Sequence, residues 1–351
     1  MDTHTNANST TALRFIEQAE CLLAVLLAIA LSHLLGVGNV GWATFSAYLV
    51  IRSSFSETLR RGSLRIVGTI VGVSLAWMLA PQLPQSPVWL SLALAVVGAV
   101  TLYLALLQHS GYGWMFTGLS FALVLIDSME YGTQQLDTFV GSRLLEVCLG
   151  TGAALLVSGM SAMTVRRRLP APVQHSAGVR FCHRAALRHA LKGAIALATI
   201  PWLWDAIHFK ALSQSSVTIM AVMMVPMADL VAANNQAATR LRHRFLGAGL
   251  GGLLASGILM LSHGSPLVMT IAAGAGVMIG RHIENTKRNI SYAGAQFALA
   301  FLVVLVPDDY SGLTVQPGLE RMFGILLGMA LLEPLRFLFS LAKRETCAKA
   351  G

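Results

Sequence analysis

Twelve apolar stretches of 15 to 23 residues, separated by short polar segments, limit the possible folds of this chain more than any other feature. A helix of about 20 residues spans the roughly 30 Å hydrocarbon core of a bilayer. The chain therefore predicts an all-α integral membrane protein with about twelve transmembrane helices. The estimated spans are 19–37, 39–53, 64–81, 87–107, 111–128, 140–162, 187–206, 213–233, 243–262, 266–283, 290–307 and 320–341.

Composition excludes the soluble classes of protein. Of 351 residues, 55% are hydrophobic and 12% are charged, whereas an average soluble domain has about 25% charged residues. The sequence also lacks the HExxH, GxSxG and Walker motifs that carry zinc, serine and nucleotide chemistry. We therefore predict that the protein is not an enzyme and needs no cofactor and no metal.

The basic residues are placed asymmetrically along the predicted spans. Twenty-two of the 25 Lys and Arg residues fall in the two termini and in alternate loops, which twelve spans put on one side. The opposite side has Lys210 beside acidic residues. This bias is the positive-inside pattern, and it predicts a multi-pass inner-membrane protein with both termini cytoplasmic. The net charge of +9 is thereby explained by orientation in the lipid bilayer, and we predict no binding to nucleic acid.

The chain contains an internal repeat with an offset close to 178 residues. It predicts two parallel six-helix units, residues 1–162 and 187–351, joined by a short basic linker at 163–186. Parallel repeats of this kind place substrate sites between the halves. The matching positions are Arg65 with Arg244, Gly68 with Gly247, Gly72 with Gly251, Arg143 with Arg321, and Gly150 with Gly328.

The motif Arg65-x-x-Gly68-Thr69-x-x-Gly72, together with Arg143 at the opening of the sixth span, resembles the fusaric-acid-resistance and aromatic-acid-exporter family. The resemblance implies a proton-driven inner-membrane exporter of small organic anions, such as aromatic carboxylates or fusaric-acid-like compounds. It implies a periplasmic adaptor of the membrane-fusion type as a candidate partner. Two alternatives stay open: a passive organic-anion channel, as in the plant malate channels of the same superfamily, and a non-transporting membrane subunit of an efflux assembly.

Two arginines lie in the outer parts of predicted spans, away from the basic loops. Arg143 and Arg321 occupy matching positions in spans six and twelve, and an arginine within a span costs about 2.5–3.5 kcal/mol on insertion scales. A pair of guanidinium groups near the repeat axis is suited to binding a carboxylate through two hydrogen bonds. The alternative is that each arginine neutralises a nearby acid or reaches the headgroups.

Two carboxylates are candidates for proton coupling. Glu146 lies three residues after Arg143, so burial disfavours its charged form while the arginine favours it. A substrate anion that competes for Arg143 would release Glu146 to take a proton, although a static Arg–Glu pair is equally compatible with this spacing. Asp229 follows Pro226 near the end of span eight, where it either couples protons or simply ends the helix.

Polar and aromatic side chains interrupt several spans. Trp42 in span two and Tyr292 and Gln296 in span eleven suit the lining of a cavity that stacks on aromatic rings. Interfacial anchoring and interhelical hydrogen bonds are the alternative explanation.

Overall fold

A computed structural model describes residues 2–108, 110–168, 182–209, 212–225, 230, 236–286, 288–307 and 316–340. All regular secondary structure in these ranges is helical. In chain order the α-helices are α1 (Asp2–Leu34), α2 (Val40–Val50), α3 (Phe55–Leu79), α4 (Pro87–Leu107), α5 (Gly111–Tyr131), α6 (Leu136–Met163), α7 (His183–Ala198), α8 (Ile200–Ile207), α9 (Ser213–Met223), α10 (Gln236–Leu261), α11 (Pro266–Thr286), α12 (Ser291–Leu305) and α13 (Gln316–Ser340).

Eight helical segments among the described residues are long and apolar enough to cross a membrane. The prediction of a helical, multi-pass membrane protein is therefore confirmed. The eight segments are Ala12–Leu34, Phe55–Leu79, Pro87–Leu107, Gly111–Tyr131, Thr133–Met163, His183–Ile207, Ala237–Leu261 and Pro266–Thr286.

Of the four remaining predicted spans, span twelve corresponds to the 25-residue helix α13 and span eleven to the 15-residue helix α12. Spans two and eight correspond to the shorter helices α2 and α9. Helices α2 and α9 have 11 residues each, a length of about 16 Å at 1.5 Å per residue. The predicted span two, 39–53, is longer than α2 because apolar residues flank this helix on both sides. The helix itself ends at Val50, before the polar segment Arg52–Ser54. Helix α9 ends at Met223, three residues before Pro226, although the apolar run continues.

The helices form two compact units, and each unit combines segments from both sides of the 163–186 linker. The first unit comprises residues 1–66, 144–175 and 243–319. In it α1 packs on α2 and α11, α11 packs on α12, and α12 packs on α2. The second unit comprises residues 67–143, 176–242 and 320–351. In it α4 packs on α5 and α7, and α9 packs on α5 and α7.

Helix α5 forms the centre of the second unit. Of the most apolar 18-residue window of α5, 72% is buried, against 39–44% for the other seven candidate spans.

Helix α4, in contrast, exposes a stripe of large apolar side chains. This stripe follows helical spacing and comprises Trp89, Leu92, Val96 and Val100. An exposed apolar stripe along a long helix is suited to contact with lipid.

Glycines allow two of the helix pairs to approach closely. A Cβ at Gly150 on α6 would overlap the carbonyl oxygen of Ala43 on α2. A Cβ at Gly328 on α13 would lie 2.7 Å from the carbonyl oxygen of Ser215 on α9. Small residues at such positions let membrane helices pack closely.

We expect Gly150→Ala to destabilise the first unit, because the new methyl group meets backbone rather than a flexible side chain. Overpacking of this kind costs about 1–3 kcal/mol. The matched control is Gly152→Ala on the same helix, where a Cβ meets nothing within 4 Å. The measurement is the midpoint of thermal unfolding in detergent. Equal midpoints for the two variants would contradict the close contact.

Candidate functional site

Arg244 is a buried cation whose described partner is neutral. It lies on α10, is 4% exposed, and donates from Nη1 to Oε1 of Gln296 on α12 at 2.5 Å. Among the described residues no carboxylate pairs with Arg244, and its buried Nε has no hydrogen-bond partner. An uncompensated buried charge is unfavourable, so this position is suited to an anion.

Local sequence explains why Arg244 is buried. Gly247 faces α12, since a Cβ there would overlap the carbonyl oxygen of Ala293 and lie 2.9 Å from the Gln296 Cβ. Residues three apart share one face of a helix. Arg244, three residues before Gly247, is therefore drawn into the same interface.

Arg65 repeats the arrangement at the matching position of α3. It is 2% exposed and donates from Nη2 to the Ser46 hydroxyl on α2 at 2.8 Å. Its guanidinium carbon lies 5.9 Å from the centroid of the Phe45 ring, a distance typical of a cation–π contact. Arg65 and Arg244, which were predicted to belong to basic loops, thus lie inside the first unit, and each donates a hydrogen bond to a neutral polar side chain.

Arg143 belongs to the second unit and has an acidic partner. Its Nη2 lies 3.7 Å from Oδ2 of Asp127 on α5, and the two side chains are 10% and 14% exposed. One turn further along α5, Glu130 accepts a hydrogen bond from the Leu212 backbone N–H at 2.8 Å.

A different cluster in the first unit neutralises its arginine completely with acids. Arg281 on α11 is 1% exposed. It donates to Glu17 at 2.8 Å, to Glu284 at 3.0 Å and to the Ile51 carbonyl oxygen at 2.7 Å. The Tyr48 hydroxyl donates to Glu284 at 2.9 Å. We call these residues the Arg281 cluster.

Arg166 forms a second complete ion pair in the same unit. Its Nε and Nη2 donate to the two carboxylate oxygens of Glu20 at 2.6 and 2.7 Å. This two-bond geometry gives strong, oriented pairing. The Arg281 cluster and the Arg166–Glu20 pair therefore join α1 to the end of α2, to α11 and to the segment after α6. In both, the positive charge of the arginine is matched by carboxylates.

The other predicted site residues are distributed as follows. Gln296 is buried against Arg244, and Trp42 is half-buried with its ring centroid 5.2 Å from that of Phe45. Tyr292 is half-buried one turn before Gln296, and Glu146 on α6 is fully buried. Asp229 and the side chain of Arg321 lie outside the described residues.

Arg65 and Arg244 were not predicted as anion-binding residues, and the acids of the Arg281 cluster were not predicted as its partners. A usable signal existed for the first pair, because each arginine precedes two glycines at i+3 and i+7, which mark a packed face. For Arg281, the i+3 spacing to Glu284 was the available signal. No group of three or more His, Cys, Asp or Glu residues in the described ranges could hold a metal ion.

The chain matches the profile of a known protein family over more than half of its length. The profile described as fusaric acid resistance protein-like matches residues 27–157 and 230–333, which is more than half of the 351 residues. The chain belongs to the fusaric acid resistance protein-like family. The predicted resemblance is thus confirmed, and the matched segments include Arg65, Arg143, Arg244 and the helices that surround them.

One curated relative of this family member is aluminum-activated malate transporter 14 from Arabidopsis thaliana. The two are 26% identical over 133 residues, which cover 35% of this chain and 24% of the plant protein. The match therefore spans about a quarter of the relative's length. No solved structure matches the chain.

We expect Arg281→Gln to destabilise the protein strongly, because it leaves Glu17 and Glu284 buried without their main cation. Breaking a buried ion pair costs about 3–5 kcal/mol. Arg60→Gln is the control, since Arg60 is exposed on α3. Chemical unfolding in detergent measures the difference. A loss no larger than that of the control would show that the cluster does not hold the helices together.

Proposed function

We propose that this membrane protein is an efflux transporter of small organic anions, with aromatic carboxylates or fusaric-acid-like compounds as substrates. The observation that carries the proposal is the burial of Arg244 beside a neutral amide, with no carboxylate partner in the described part of the chain. Arg65 supports it from the matching position of α3. A substrate carboxylate would supply the charge that the protein leaves uncompensated.

The chemistry of the guanidinium favours a carboxylate over other ligands. Arginine has five N–H donors in a planar fork that matches the two oxygens of a carboxylate. One donor of Arg244 is used by Gln296, which fixes the orientation of the fork, and the buried Nε is available. In the same unit, Trp42, Phe45 and Tyr292 offer apolar and aromatic surface for a ring.

The name of the plant relative supports an anionic substrate, because that protein is described as a malate transporter. For this chain we propose Arg143 and Arg321 as further anion-binding residues, as their matching positions predict. A passive channel built from the same arginines is the main alternative. A channel only dissipates a substrate gradient, whereas an exporter builds one.

The proposed topology places the protein in the bacterial inner membrane with both termini in the cytoplasm. We propose that residues 1–162 and 187–351 are two parallel repeats. The glycine contacts of α2 with α6 and of α9 with α13 support this, since they recur at matching positions. A periplasmic membrane-fusion adaptor is the proposed partner for carrying substrate onward.

We expect Arg244→Gln to lower anion flux into proteoliposomes about tenfold or more, the effect of losing one charge-assisted contact of 1.4 kcal/mol or more. Suitable probes are fusaric acid, malate and phthalate, each corrected for protein-free vesicles. Arg242→Gln on the same helix is the control, because Arg242 is exposed.

Thermal unfolding separates a loss of function from a loss of fold. Since Arg244 is an uncompensated buried charge, Arg244→Gln is expected to keep or raise the unfolding midpoint. Full flux by this variant would overturn the proposed role of Arg244. Absence of flux and of anion binding by the unmodified protein would instead favour a non-transporting subunit.

Proton coupling is the second testable part of the proposal, with Glu146 and Asp229 as the carboxylates that the sequence predicts. Glu146 is fully buried on α6, where a proton neutralises an otherwise unfavourable charge. We expect Glu146→Gln to reduce the stimulation of flux by an imposed pH gradient while leaving flux down a substrate gradient. Unchanged stimulation would exclude Glu146 as a coupling residue.

A further inference from the structure

The ion pair of Arg143 and Asp127 is longer than the closest ion pairs of the first unit, although Arg52–Glu284 in that unit is longer still, at 3.9 Å. The nearest N···O distance between Arg143 and Asp127 is 3.7 Å, whereas Arg281–Glu17 and Arg166–Glu20 are separated by 2.8 and 2.6 Å. Charge-assisted hydrogen bonds have lengths of about 2.7–2.9 Å. The Arg143 pair is therefore an electrostatic contact without a direct hydrogen bond, which a competing anion can replace.

We propose that Asp127 is a proton-binding site that exchanges with the substrate anion at Arg143. This inference rests on the proposed function. When a carboxylate substrate occupies Arg143, Asp127 loses its cation in a largely buried position, where burial disfavours an isolated charge. It then takes one proton from the aqueous phase. The local charge is the same before and after, because one anion and one proton enter together.

The charged surroundings of Asp127 are compatible with this exchange. Within the second unit, α4, α9 and residues 67–79 of α3 have no charged side chain. On α5 itself, Glu130 lies one turn away and caps the Leu212 N–H. Helix α8, which packs on α5, carries Asp205 and is followed by His208. Helix α6, the next α-helix in the chain, carries Asp137 and Arg143 within this unit. Arg143 is the described cation paired with Asp127.

The test is calorimetric titration of the detergent-solubilised full chain with benzoate, in two buffers of different ionisation enthalpy. The difference in heat gives the number of protons bound with each anion. For the unmodified protein we expect uptake of about one proton per benzoate near neutral pH. For Asp127→Asn we expect uptake near zero, because the amide cannot bind that proton.

The affinity for benzoate separates exchange from a merely structural role. Asp127→Asn removes the carboxylate that competes for Arg143, so benzoate should bind this variant as tightly as the unmodified protein or more tightly. Weaker binding together with unchanged proton uptake would overturn the proposal. Glu130→Gln is the matched control on the same helix, because its amide oxygen still accepts from Leu212, and we expect normal proton uptake.

The unmodified protein alone can also overturn the inference, without depending on how well a variant folds. Benzoate binding without proton uptake would exclude exchange at Asp127 and leave the proposed anion transport intact. Absence of binding by the unmodified protein, with benzoate, fusaric acid and malate all tested, would overturn the proposed function and this inference with it.

Discussion

The compensation of buried guanidinium charge is the constraint on which the rest of this structure depends. Arginine stays protonated in proteins, so each buried arginine must find a partner or leave an unfavourable charge. Arg281 and Arg166 have carboxylates at 2.6–3.0 Å and serve as fixed joints between helices. Arg244 has a neutral amide, and Arg143 has an aspartate at 3.7 Å. The structural arginines thus differ from the proposed anion-binding arginines in the distance and the charge of their neighbours.

Basic side chains also bind the carbonyl groups at the ends of the short helices α2 and α9. A helix leaves its last carbonyl groups without internal partners, and α2 and α9 end where these carbonyls are buried. In the first unit, Arg281 donates to Ile51 at the end of α2. In the second unit, His189 Nε2 lies 2.9 Å from the Met223 oxygen, and Arg240 donates to Met224. Basic residues that the charge pattern assigned to membrane orientation also complete these helix ends.

The sequence predicted the helices well and the partners of charged residues poorly, for a physical reason. A run of 18 apolar residues leaves a membrane protein little choice but a helix, so α1, α3 and α4 could be located by hydropathy. Burial of a charge depends on which face of a helix is covered, and hydropathy averages over faces. Arg65 and Arg244 were therefore assigned to loops, and the spacing of their neighbouring glycines was the signal for the covered face. The pairing of Arg281 with Glu17 joins residues 264 positions apart, which no local pattern reveals.

Each unit combines segments that are far apart in the chain, which limits how early in synthesis the unit can be completed. The first unit needs α1 and α2, which leave the ribosome first, and also α11 and α12, which leave it late. Helices α1 to α6 must therefore be inserted and held in the bilayer before either unit is complete. Glu17 remains without Arg281 throughout that interval. A chain that ended at the central linker would therefore keep Glu17 in its first helix without the cation that pairs with it in the complete protein.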